Sequence, residues 1–173
     1  MMLKFMKPEI LVKLNEDNEN TPDAVARAME VEDQWEENGK QYAARLREIT
    51  PRLPDGVVTF LNKACLHDAA MLGELTGVGG RSLVLLAKLV LPRIDSDNEC
   101  WYYGLYYQEI RELRTVMHEG SYFTELDPHP EWAYDEFDIT EDGYIVHSIL
   151  FSDGRELEIT FRHFTWTQTL RQE

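Results

Sequence analysis

The chain has 173 residues, 43% apolar and 11% aromatic, with 32 acids against 17 Lys and Arg for a net charge of −15. That is one domain of ordinary size with enough apolar material for a core, which argues against wholesale disorder. The charge argues against nucleic acid and anionic membrane surfaces as partners, since both are bound through cations, and favours a cationic partner.

Residues 1–64 read as mainly helical. A polar linker, Asn15 to Asn20, precedes Thr21-Pro22-Asp23, which supplies an N-cap, a proline at the first helical position and an acid in the first turn. Val25, Met29, Trp35, Tyr42, Leu46 and Ile49 follow at helical spacing as a stripe for a core. Asn38-Gly39 is a place for this helix to kink or divide, and Pro51 and Pro54 end it. Asp55 can cap a short third helix through Val57, Val58, Leu61 and Ala64. Cys65, among apolar neighbours, reads as a small buried hydrophobe.

Residues 65–166 read as mainly antiparallel sheet. A strand over about 67–75 leads through Gly77, Gly79 and Gly80 into Ser82 to Leu91, rich in Leu and Val on both faces. The glycines lack the Lys-Ser or Lys-Thr of a phosphate-cradling loop and read as turn residues. Trp101 to Ile110 is an aromatic strand, but Tyr106, Ile110, Leu113 and Met117 have helical spacing, which leaves its second half open. Glu141-Asp142-Gly143 and Ser152-Asp153-Gly154 are hairpin turns. Three-residue loops pair Ile149 with Leu157, His147 with Ile159, Ile145 with Phe161 and Phe137 with His147, which puts the apolar residues on one face. The opposite face then carries Glu136, Asp138, Glu156 and Glu158. The fold expected is α+β, a single domain over 1–173, with N-terminal helices on a strongly curled antiparallel sheet of about six strands.

Charge is concentrated at this end. Residues 93–173 hold 18 acids and 6 bases, and between Glu119 and Glu158 Arg155 is the single base. The outward carboxylates, together with the aromatics Tyr122, Phe123 and Trp132 of a long connection, make a surface for a basic partner protein. The same connection holds His118, Glu119, Asp127 and His129, a set able to hold a divalent cation if the loop doubles back. No His-x-x-x-His or Cys-x-x-Cys pattern supports it, and no cofactor is expected. His147 falls on the apolar face, where a neutral ring satisfied by a Tyr hydroxyl or a backbone group is the ordinary outcome and a buried base the alternative; His163 lies beyond Phe161 on that face. His67-Asp68 invites comparison with a phosphohydrolase dyad, but no His precedes it, and it reads as a junction device.

Leu66-His67-Asp68-Ala69 opening a strand, with the terminal meander His147-Ser-Ile-Leu-Phe-Ser-Asp-Gly-Arg-Glu-Leu-Glu-Ile159, resembles bacterial domains of unknown function. The layout is similar to small immunity-type proteins of toxin systems. The resemblance spans 66–166 and implies an α+β fold in a bacterial, cytoplasmic setting, with no catalytic residues to carry over. The start of the chain shows no signal-peptide pattern, and the longest apolar stretch, Leu83 to Leu91, is too short for a bilayer, which also reads as cytoplasmic. Function is expected to be non-enzymatic, an acidic sheet face meeting a basic protein as an immunity-type inhibitor would; the alternative is a small metal-dependent hydrolase or metal-regulated binder built on the 117–132 loop.

Overall fold

The structure, a computed structural model, describes residues 3–16, 22–91, 99–119 and 129–172. Three helices, α1 (Pro8–Glu16), α2 (Pro22–Ile49) and α3 (Asp55–Lys63), precede eight strands. These are β1 (Ala70–Thr76), β2 (Ser82–Leu91), β3 (Glu99–Gln108), β4 (Glu112–Met117), β5 (Trp132–Ile139), β6 (Ile145–Phe151), β7 (Arg155–Phe161) and β8 (His163–Gln172). No helix among the described residues is long and apolar enough to cross a membrane.

The strands divide between two antiparallel sheets of four, ordered β1-β2-β3-β8 and β4-β7-β6-β5, where one curled sheet of about six was expected. The division has a local cause. Gln108 pairs with His163 and Glu112 with Thr160, so three residues on one strand face two on the other. One surplus residue is a β-bulge, and it bends the ribbon. Glu109 takes a left-handed φ of 52°, while Arg111 N–H bonds the Thr160 carbonyl at 2.8 Å and Arg162 N–H the Gln108 carbonyl at 3.3 Å, carrying the pairing around the bend. Arg111 and Arg162 each place a guanidinium 4.2 Å from the centre of the Tyr144 ring and pin the bend from the β5–β6 turn. The bulge also explains the helix-like spacing of Tyr106 to Met117, because an inserted residue breaks the two-residue alternation. That stretch is β3 running on into β4.

The meander has the expected register, with Ile149 opposite Leu157, His147 opposite Ile159, Ile145 opposite Phe161 and Phe137 opposite His147. Gly143 and Gly154 have φ of 83° and 81°, the left-handed conformation that closes each three-residue loop. Phe137, Ile139, Ile145, Ile149, Phe151, Leu157, Ile159 and Phe161 are all buried and share one core with Leu83, Leu85, Leu105 and Tyr107 of the other sheet. Phe60 of α3 stands among them, its ring 5.5 Å from Phe164, 5.6 Å from Trp166 and 5.9 Å from Phe137. The sheets are further joined where β1 and β5 begin, by Trp132 N–H to the Ala69 carbonyl at 2.8 Å and Asp68 N–H to the Trp132 carbonyl at 3.0 Å.

The helices depart from expectation in four respects. Helix α2 runs unbroken through Gly39, because Asn38 is tied to the Phe5 carbonyl at 2.9 Å and Tyr42 and Arg45 anchor the next turn to the sheet. The first two residues of its stripe do not pack: Val25 and Met29 are 49% and 61% exposed, whereas Trp35 is part-buried against Tyr134 and Ile49 is fully buried. Instead of lying flat on the apolar face, α2 covers the open edge of β5, where the Tyr42 hydroxyl accepts the Phe137 N–H at 2.7 Å. Helix α3 begins after Pro54 with no side-chain cap, Asp55 sitting inside its first turn. Cys65 is exposed and Cys100 buried, so the buried thiol is the other of the two.

Candidate functional site

The alternation of β5 and β7 directs Glu136, Asp138, Glu156 and Glu158 to the face away from the main core, as the pattern requires. That face is not open to solvent. Glu136, Asp138 and Glu156 are 5%, 8% and 1% exposed, because residues Leu3–Met6 lie across them as a strap. The N–H groups of Lys4, Phe5 and Met6 all converge on the Glu136 carboxylate, at 2.9, 2.9 and 2.5 Å. Glu156 accepts the Leu3 N–H on one oxygen and meets His118 Nε2 at 2.6 Å on the other. Lys4 Nζ and Arg45 pair with Asp138, the latter at 2.7 Å. Leu3 is buried beside Ala133 and Leu150, with Val12, Trp35 and Tyr134 around them, in a second small core. The expected solvent-facing acidic surface is therefore the bed on which the start of the chain lies. Glu158 stays half-buried at its margin, 3.7 Å from Arg114.

These surroundings set the charges. Burial raises the proton affinity of Glu136 more than its three N–H donors lower it, and Glu156 adds to the rise. Burial opposes the charge on Asp138 as well, but Lys4, the Ile139 N–H and Arg45 together overcome it and hold that carboxyl below its usual range. Burial also raises Glu158, which Arg114 counters in part.

On the inner face, His147 is fully buried and stacks on Phe137, with ring centres 3.8 Å apart. Its Nδ1 is 2.8 Å from the Tyr107 hydroxyl and its Nε2 is 3.1 Å from Asp135 Oδ2. Burial holds the ring neutral against the pull of Asp135. In the tautomer this geometry favours, Tyr107 donates to Nδ1 and Nε2–H donates to Asp135, so both nitrogens are engaged. Asp135 also accepts the Trp132 indole N–H at 3.0 Å and lines a cleft of about 210 Å³ between α3, β5 and residues 65–67. His163 is exposed beside Glu109 at 3.3 Å, whereas His147 is fully buried.

The 117–132 connection is only partly described. Tyr122, Phe123 and Asp127 lie outside the described residues. Trp132, expected as a binding anchor, is fully buried in the core, because β5 begins at that residue. Of the expected metal ligands, His118 is turned onto Glu156, and Glu119 and His129 are exposed. Among the described residues no three of His, Cys, Asp and Glu come together as a metal site. His67 Nδ1 meets Asp68 at 2.7 Å at the surface, and Asp68 has a left-handed φ of 66° at the entry to β1, which is where a junction device belongs. Sequence reasoning missed the strap and Asp135. The strap had a signal in Leu3-Lys4-Phe5-Met6-Lys7, apolar and basic, ahead of an acidic sheet.

No protein-family model matches the chain, and no curated protein matches it. A crystal structure of an uncharacterised protein from Neisseria gonorrhoeae is similar at 14% identity, over 59% of this chain and 92% of that one, with a TM-score of 0.34, a likeness too slight to argue from.

Proposed function

We propose that this chain is a non-enzymatic interaction protein whose acidic sheet face engages a basic partner protein. The partner presents a short segment with Lys or Arg beside apolar side chains, which takes the place of residues Leu3–Met6. The observation that carries this reading is the convergence of three successive main-chain N–H groups on Glu136. Recognition through the main chain is transferable from one segment to another, and the flanking apolar seat of Leu3 and the Asp138 charge supply the preference for apolar and basic side chains. An immunity-type inhibitor of a basic enzyme is one instance of such a protein.

The test uses the peptide Leu-Lys-Phe-Met-Lys, the sequence of residues 3–7. Fluorescence anisotropy with a chain lacking residues 1–7 is expected to show binding that weakens as salt rises and falls at least tenfold in Glu136→Gln. The full chain is expected to bind it far more weakly, because its own strap competes. A folded truncated chain that ignores the peptide, or holds it equally well in high salt, removes the reading.

A further inference from the structure

We propose that the cleft beside Asp135 is a binding site for an alkylammonium cation, held by the Asp135 carboxylate against a wall of Tyr42, Phe60, His67 and Tyr134. The carboxylate stands on the inner face of the sheet, while two of the walls, Tyr42 and Tyr134, also touch the strap or its seat. The proposal starts from a carboxylate that, among the described residues, has no Lys or Arg against it. Asp138, three residues along the same strand and on its other face, has Lys4 and Arg45; among the described residues no Lys or Arg reaches Asp135 at ion-pair distance. Its two hydrogen bonds come from the Trp132 indole and from His147, which burial keeps neutral. A carboxylate has about four acceptor positions, so these two donors fix its orientation and leave capacity for a third. The side chain is a quarter exposed, and the cleft is the space it faces.

The walls suit a cation. Tyr42, Phe60, His67 and Tyr134 line the cleft, with the His67 and Tyr134 rings 5.3 Å apart and nearly perpendicular. Aromatic faces attract an organic cation through their quadrupoles, more so where water is partly excluded. The Asp135 charge reaches the hydroxyls around it. After burial, Asp135 is the next cause that raises the proton affinity of both the Tyr42 and the Tyr107 hydroxyls. At about 210 Å³ the cleft is smaller than the roughly 300 Å³ at which drug-sized ligand pockets begin, so it takes a single charged head and a short stem. A free alkylammonium compound and a lysine side chain of a partner share that chemistry.

Titration calorimetry of the full chain with choline, with Nα-acetyl-lysine amide and with 3,3-dimethyl-1-butanol, the uncharged shape of choline, tests the site. At least one cation is expected to bind ten or more times tighter than the alcohol. Preference for choline identifies a small free cation as the source, and preference for the lysine derivative a protein side chain. Asp135→Asn is expected to weaken binding at least tenfold and His67→Ala severalfold. Should Asp135→Asn lose its native circular dichroism, His67→Ala and Tyr134→Leu decide. Equal binding of the alcohol, no binding of either cation at millimolar concentration, or folded variants with unchanged affinity overturns the proposal.

Discussion

At Glu136 a buried carboxylate is kept charged in part by three main-chain donors, and the donors in turn have no other acceptor among the described residues. Removing one side of such an arrangement costs more than removing both, because desolvated N–H groups are left without partners. Glu136→Gln keeps one acceptor oxygen and is expected to lower stability by about 1 kcal/mol. Glu136→Ala is expected to cost about 2–4 kcal/mol and to raise amide exchange at Lys4, Phe5 and Met6. Urea midpoints and hydrogen exchange check both. Equal losses in the two variants would mean the N–H groups find water as readily as they find the carboxylate. The role of Glu136 was only half legible. Two-residue alternation placed it opposite the core, but alternation says which face a side chain takes and nothing of what covers that face.

Among the elements, α2 and α3 each contain a glycine, and the two have opposite meanings. A Cβ on Gly56 would come within 2.4 Å of the Phe164 carbonyl oxygen, so that glycine lets α3 approach β8. Gly39 in α2 has nothing within 4 Å of the same atom and is a simple cost to the helix. Gly56→Ala is therefore expected to destabilise by about 1–3 kcal/mol, through overpacking against backbone. Gly39→Ala is expected to stabilise by about 0.5–1 kcal/mol. Thermal melts that move in the same direction for both would contradict this packing. Legibility at this scale followed the local signal. The meander could be read to the residue because its Asp-Gly turns and strict alternation fix a register that one slip destroys. The division into two sheets could not, because the bulge opposite Phe161 and Arg162 has no glycine or proline at Glu109, Ile110 and Arg111 to announce it. The coverage of the β5 edge by Tyr42 was equally hidden, since helical spacing locates a stripe without saying which part of a sheet receives it.

Over the whole molecule, the acids and the buried histidine set opposing trends with pH. His147 is held below its ordinary value of 6.5, so the unfolded chain binds a proton that the folded chain refuses; its contribution is present above about 6.5 and is lost as pH falls below that value. Glu136 and Glu158 are raised above their ordinary 4.5, so the folded state takes up protons first and gains stability as pH falls towards 4.5. Asp138 is held below its ordinary 3.8, and what it contributes is lost only at pH values beneath that. Between pH 7.5 and 5 the histidine therefore opposes the two glutamates. His147→Gln removes the histidine's part and leaves theirs. The variant is expected to be less stable than the natural chain at pH 7.5, through its poorer fit against Phe137, Tyr107 and Asp135, and the gap is expected to narrow steadily towards pH 5. Urea midpoints at half-unit intervals measure it. Parallel curves would mean that His147 titrates alike in the folded and unfolded chain, and the burial that keeps Asp135 without a counter-charge would be refuted with it.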